Sequence, residues 1–423
     1  MTKTTRLLGE PDPAARRQVM AVLVTLVVVM SVGRAIQWYT ERDVVTGSRG
    51  PFPAALGTEA PIAPSRVAHH PQRPAALVHG LFIDPTGSGV RALNYRTGKE
   101  YWRYERHDEG ADDPAVEASA DTVVAWFGDG TLVGIDLRTG NVRWRADSAP
   151  DGFQQVHVGA GRVVAQSPGG VTAFSERSGA ELWQLKPPRS CGDPTPWTVV
   201  DLPQHLTAVE LGCASPDDQD GVVVGVDNRT GTQLWKRGVR QELHRADDHT
   251  LVAVAPHTSG ERGEKDRVQV LDVDRKGATV RTAFTSGSWS PDDAGDGVIV
   301  SSANPGAPES GDATVLTGYD TRVGKRVWER RVLAGCSFGT AKLADGRVYV
   351  VQNATIPGGN TGRVLDADLL VLDGRSGRLL HTLRLPDLTV PRDVDLPDLS
   401  VHRVSDGVVD LGWPEADDVL TVT

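Results

Sequence analysis

The sequence predicts an all-β chain folded as a single β-propeller of about eight four-stranded blades, with seven the alternative, preceded by one N-terminal transmembrane helix. Three observations predict it. One phrase recurs seven times, with its glycines 42, 39, 52, 46, 47 and 53 residues apart. Helix-period patterning is almost absent after residue 40, and one apolar run stands near the N-terminus.

The phrase is an apolar strand, often an Asp, then Thr or Ser, then Gly, with Trp four residues after the Gly. It reads Ala92 to Gly98 with Trp102, Ile135-Asp136 to Gly140 with Trp144, and Phe174 to Gly179 with Trp183. It continues as Val226-Asp227 to Gly231 with Trp235, and as a worn copy at Val273-Asp274 to Gly277 without Trp. Tyr319-Asp320 to Gly324 with Trp328 follows, then Leu372-Asp373 to Gly377, where His381 replaces the Trp. Asp and Thr/Ser bond their own turn backbone, and Gly supplies the positive φ of a tight, bulged hairpin. The indole then falls on the next strand, where it can wedge between neighbouring sheets. Further strands lie upstream, as at Val123 to Trp126 and Val348 to Val351. A period of 40–50 residues holding several short strands means propeller blades. A β-sandwich would not repeat one phrase seven times, and the strand alternation excludes a helical solenoid.

The Asp-x-x-Thr-Gly-x-x-x-Trp phrase resembles the PQQ-binding-like (quinoprotein-type) β-propeller repeat across roughly residues 75–423. An eighth pair of strands stands at Gly407 to Leu411 and Val419 to Val422, and the chain stops before that unit's outer strand. Propellers similar to this one often close by borrowing a strand from the other terminus. The expected supplier precedes Leu77, around Pro64–His70, and closure removes an aggregation-prone edge.

Val19 to Gly33 is a 15-residue apolar run. Alone it spans roughly 22 Å as a helix; extended to Tyr39 it reaches about 31 Å, enough for the hydrocarbon core. Arg34 can snorkel, and Trp38 and Tyr39 suit the interface. Lys3, Arg6, Arg16 and Arg17 precede the run, which places residues 1–18 in the cytoplasm. A cleaved signal peptide is the competing reading, but Val32 to Ala35 offers no clean cleavage site. The expected organisation is therefore a cytoplasmic segment (1–18), a signal-anchor helix in the cell membrane (19–39), a Pro-rich linker (40–74) and the propeller (75–423) outside the cytoplasm. Six prolines in 43–74 suggest a semi-rigid spacer, with His69-His70 as polar linker residues.

Net charge is −10, and residues 1–42 carry six Lys/Arg against three Asp/Glu, so the remainder is near −13. An acidic body argues against a nucleic-acid partner, because such binding rests on cationic contacts to phosphate. The three cysteines, Cys191, Cys213 and Cys336, have no metal-finger spacing and cannot all pair internally. Cys191 and Cys213 flank the connection into blade 4, where a disulfide would staple a long insert; pairing of either with Cys336 is the alternative. Asp217 to Asp220 and Asp292 to Asp296 lack a calcium-loop spacing and read as solvated turns.

Loops alternate between two faces. The phrase turns and the turns entering each second strand share one face and are short. The other face holds the hairpins between second and third strands, which lengthen at 256–267, 304–312 and 353–367, and the connections at 186–202 and 386–400. Elaborated loops on a rigid scaffold are common sites of function, so this face over blades 4 to 7 is expected to meet a partner. The resemblance also implies alternatives. Quinoprotein dehydrogenases share the blades but carry adjacent cysteines, calcium ligands including Glu and Asn, and a catalytic Asp. No two cysteines adjoin here and no catalytic, cofactor-binding or metal-ligating residue can be carried over, so neither PQQ nor enzymatic activity is expected. Similar propellers also occur as a scaffold lipoprotein of the outer-membrane β-barrel assembly machine and as sensor halves of signalling receptors. The expectation is a binding or scaffold protein for an unknown protein or envelope component, with a ligand-sensing subunit as a further alternative.

Overall fold

Each copy of the phrase builds the outer hairpin of one blade. In the computed structural model, which describes residues 43–57, 59–70, 75–107, 114–147, 152–167, 169–186, 198–211, 221–254, 266–287, 291–303, 313–332, 335–354, 364–389, 398–405, 407–413 and 419–423, Asp136 Oδ1 accepts from the N–H groups of Arg138 (3.0 Å) and Thr139 (2.9 Å) and from the Thr139 hydroxyl (2.9 Å). The Gly140 N–H returns to the Asp136 carbonyl at 2.9 Å, with Gly140 at φ +74°. Asp373 and Ser376 repeat the turn in blade 7.

Blade 1 comprises Ala76–Val78, Leu81–Thr86, Gly89–Asn94 and Glu100–Glu105, antiparallel in that order from the axis outward. The same order recurs in blades 2 (115–147), 3 (155–185), 4 (199–239), 5 (240–287), 6 (293–331) and 7 (336–384). One continuous strand, Gln233–Asp247, serves as the outer strand of blade 4 and the inner strand of blade 5. Blade 8 takes Ser400–Ser405, Val408–Gly412 and Val419–Val422 from the C-terminus, and its outer strand is Val67–His70. The architecture is an all-β propeller of eight four-stranded blades, and among the described residues no helix occurs. None is therefore long and apolar enough to cross a membrane; the expected anchor, 19–39, lies outside the described residues.

The indoles peg each blade to the next. Trp102 Nε1 donates to the Leu137 carbonyl (2.7 Å), Trp144 to Glu176 (2.7 Å), Trp183 to Asn228 (3.0 Å), Trp235 to Asp274 (2.8 Å) and Trp328 to Gly374 (2.8 Å). In each case the acceptor is a phrase-turn carbonyl of the following blade. Glycine makes the room: a Cβ on Gly140 would lie 2.9 Å from Trp102, and one on Gly134 would sit 2.1 Å from the Trp144 ring. The two copies without Trp solve the problem differently. In blade 7 His381 Nε2 donates to the Pro64 carbonyl at 3.0 Å, the same role played by a smaller ring. In blade 5 Thr282 stands where the Trp would be, and Phe284 two residues on stacks against Tyr319 of blade 6 at 5.1 Å.

The stretch expected to act as a spacer runs along the body. Val44–Thr46 pairs with the outer strand of blade 1, held by Asp43 to the Tyr104 hydroxyl (2.9 Å) and to Arg145. Phe52 then packs on Tyr101 and His79 and lies under the Arg138 guanidinium at 4.3 Å. Arg96 donates to the Ala54 carbonyl (3.1 Å), Arg347 to Ala60 (3.1 Å) and the Tyr349 hydroxyl to Pro61 (3.0 Å). The physical reason is the backbone itself: an extended Pro-rich segment has free carbonyls to offer to side-chain donors. His70, at the end of this strap, packs edge-on against Phe82 at 4.5 Å and reaches the Thr421 hydroxyl at 3.0 Å. Burial pulls its pKa below the usual histidine value, with Asp410 opposing and His69 adding to the fall.

The acidic cluster in blade 6 also departs from the solvated-turn expectation. Asp292 Oδ2 accepts from the N–H groups of Ala341 (3.0 Å) and Ser302 (3.1 Å), Asp293 from Leu343 (2.9 Å) and Asp296 from Gly346 (2.6 Å). Three carboxylates thus latch blade 6 to the inner strand and first turn of blade 7, because that strand leaves its own N–H groups unpaired on this side. Burial pushes Asp292 up to about 6 against the opposing N–H bonds. A carboxyl raised from 3.8 contributes stability below that value and loses it as pH rises through about 6. Asp292→Asn is expected to abolish a decline of about 1–2 kcal/mol between pH 4 and 7, read by urea unfolding at several pH values.

Candidate interaction faces and the central channel

In seven of the eight blades the inner strand sets one ionisable side chain at nearly one level. Glu117, His157, His244, Asp293, Lys342 and Arg403 each lie opposite the third residue of their blade's second strand. Asp201 of blade 4 is one residue nearer the turn, opposite Thr207, and blade 1 has Ala76 at this level. These groups are tied to one another across blades. His157 Nδ1 lies 3.5 Å from Glu117 of blade 2, and its Nε2 lies 3.4 Å from Asp201 of blade 4. Arg162, itself buried, donates to Asp201 (2.6 Å) and Thr207 (3.1 Å). Arg403 is paired with Asp410 at 2.5 Å.

Burial alone would lower the His157 pKa, but Asp201 and Glu117 outweigh it and raise it to about 9. His244 goes the other way, since burial and nearby Lys342 prevail over Asp293 at 3.9 Å. A histidine raised above 6.5 contributes its stability below that pH and loses it as pH climbs through about 9. His157→Gln is expected to flatten a loss of about 1–2 kcal/mol between pH 7 and 9.5, after allowance for solvent screening, in thermal unfolding across pH.

The axis opens into a cavity of about 700 Å³, bordered by Leu77, Glu117, Ser119, Trp126, Gln155 and Arg403. The carboxylates of the inner ring are engaged, Glu117 by His157 and Asp201 by His157 and Arg162, and among the described residues no group of three His, Cys, Asp or Glu could hold a metal ion.

The two faces differ in finish. The phrase turns share their face with the first turns, such as His79-Gly80 and Asp345-Gly346, and the strap crosses that face over blades 1, 8 and 7. The opposite face carries short hairpins in blades 1 to 3, where buried Arg106 joins blades 1 and 2 through Asp129 at 2.6 and 3.1 Å. Of the longer elements expected there, 255–265, 304–312, 355–363, 187–197 and 390–397 lie outside the described residues, as do Cys191, Cys213 and Asp217 to Asp220. Cys336 carries a free thiol. The phrase tryptophans, with Gly140, Gly179, Gly231 and Gly377 against them, are therefore brought together as inter-blade machinery, while Asp136 and Asp373 shape their own turns. The charged inner ring carries no repeated sequence signal beyond its position in short, divergent strands.

Eight blades, seven of them bearing the phrase and five pegged to the next by its indole, define a PQQ-like repeat β-propeller. A family model described as outer membrane protein assembly factor BamB matches residues 63–168 and 219–395, and the chain belongs to that family. Among solved structures, BamB from Moraxella catarrhalis aligns with TM-score 0.52 at 14% identity, covering 85% of this chain and 99% of that one. The computationally designed Ika8 protein aligns with TM-score 0.54 at 14% identity over 87% of this chain and 100% of that one. The C-terminal WD40 domain of Sif2 aligns with TM-score 0.51 at 11% identity over 88% and 99%. At such identities the likeness shows the fold alone. No curated protein matches the chain.

Proposed function

We propose that the protein is a non-enzymatic scaffold, held at the cell membrane by residues 19–39 with its N-terminus inside, whose propeller meets a protein or other envelope partner outside the cytoplasm. The observation that carries this reading is the engagement of the inner ring: Glu117, His157 and Asp201 are bound to one another, and Arg403 to Asp410 of its own blade and the Ala75 carbonyl beside blade 1, rather than directed at a substrate. Membership in the BamB family supports the same reading, and the charge balance disfavours nucleic acid. The partner is met through the face bearing the long connections of blades 4 to 7.

Two measurements on the full chain purified from membranes test this. With added PQQ, calcium and an alcohol or sugar, dye reduction should not exceed background; a quinone-dependent rate contradicts the proposal. Crosslinking in membranes should yield a discrete adduct that disappears when 256–265 is replaced by a short Gly/Ser link, with thermal stability unchanged. An adduct indifferent to that replacement and to shortening of 304–312 and 355–363 moves the partner to another surface.

A further inference from the structure

We infer that the face carrying the second-to-third-strand hairpins lies against the chain's own bilayer, and that the phrase-turn face points away from it. The inference rests on the anchor reading above and adds an orientation to it. The geometry is set by where the chain joins the body. Val44 pairs with Glu105, Glu105 with Gly89, and Gly89 with Thr86, so Val44 stands level with the hairpin at Gly87-Ser88. Thr46, opposite Arg103, is already nearer the other face, and by Phe52 the strap has reached His79 beside the first turn of blade 1. The chain therefore climbs from the hairpin face to the phrase-turn face, and Asp43, pinned by Tyr104 and Arg145, marks the lower end of that climb.

Only residues 40–42 separate Tyr39 from Asp43. Fully extended, that link spans at most about 14 Å. The outer strand of blade 1, Glu100–Glu105, rises about 17 Å from the hairpin end to the turn end. For the phrase-turn face to rest on the membrane, Asp43 would have to stand farther from the bilayer than the link can reach. The hairpin face and the rim of blade 1 have no such conflict. Attraction is not what holds them there, because residues 43–423 carry about −13 and an anionic leaflet repels that charge. The short tether holds them. A protein met through the long connections on this face accordingly shares the same bilayer, while the phrase turns of blades 2 to 6 are open to soluble molecules.

The test places a fluorescent amino acid, one site at a time, in the full chain reconstituted into phosphatidylethanolamine/phosphatidylglycerol vesicles with a nitroxide-labelled headgroup. Gly87 and Gly128 report the hairpin face, where an added side chain meets nothing within 4 Å. Arg177 and exposed Val323 report the phrase-turn face. Quenching at Gly87 and Gly128 is expected to exceed that at Arg177 and Val323 several-fold. Inserting twenty Gly/Ser residues after Tyr39 should erase the difference while the protein still floats with the vesicles. Equal or reversed quenching in a chain that floats overturns the orientation alone. A chain that does not float overturns the anchor reading, and the orientation with it.

Discussion

Trp102→Ala is expected to cost about 3–5 kcal/mol of unfolding free energy, the largest loss from any single side chain in the propeller. Its ring is fully buried, rests on Gly140 of blade 2, and donates to the Leu137 carbonyl at 2.7 Å. Truncation opens a cavity between two blades that glycine cannot fill by moving. It also orphans a buried carbonyl, at about 1 kcal/mol or more. Trp102→Phe separates the two contributions: a ring remains, the donor does not, and the loss should fall to about 1–2 kcal/mol. Urea unfolding followed by Trp fluorescence reads both. A loss under about 1 kcal/mol for the alanine variant would show that blades are held by something other than the indoles.

Removing residues 1–70 is expected to abolish the stable monomer. Val67–His70 is the outer strand of blade 8 and pairs with Val419–Val422 through four residue pairs. Its loss exposes a flat apolar edge, Val419, Leu420 and Val422, all buried in the intact chain. It also takes away the carbonyls that satisfy Arg347, Tyr349 and His381. These losses together rival a typical domain stability of about 5–15 kcal/mol. Light scattering should show association, and thermal unfolding should lose cooperativity. A synthetic peptide spanning 43–70, added in trans, should restore the monomer. A truncated chain that stays monomeric with an unchanged midpoint would mean the ring does not depend on this strand.

The repeats were legible because each phrase solves one local problem, a tight turn followed by a wedge, with residue types that have few substitutes. Gly140 and Trp144 announce themselves; so does the incomplete unit ending at Val422. The strap was harder to read, since Pro51, Pro53, Pro61 and Pro64 signal extended backbone without saying whether it is solvated or docked. What docks it are distant donors, Arg96, Arg347, Tyr349 and His381, that nothing in 43–66 identifies. Asp292, Asp293 and Asp296 looked like solvated turn residues because their acceptors' partners are backbone N–H groups of another blade, which carry no residue-type signature. Phe284 replaces an indole from two positions away, outside the phrase. The ring of Glu117, His157 and Asp201 depends on a register between blades that spacing alone does not supply.

Closure of the circle by the N-terminal strand is the proposition on which the rest depends, and a crosslink across the seam tests it directly. Ala68 stands opposite Thr421, a pairing at which strand neighbours are close enough for a disulfide. In a chain whose three native cysteines are replaced by Ser, Ala68→Cys with Thr421→Cys should oxidise readily to a faster-migrating circular species and raise the unfolding temperature. The offset pair Ala68→Cys with Leu411→Cys should not. Failure of the Ala68/Thr421 pair to crosslink in folded protein, or equal crosslinking by both pairs, would contradict the closed eight-bladed ring.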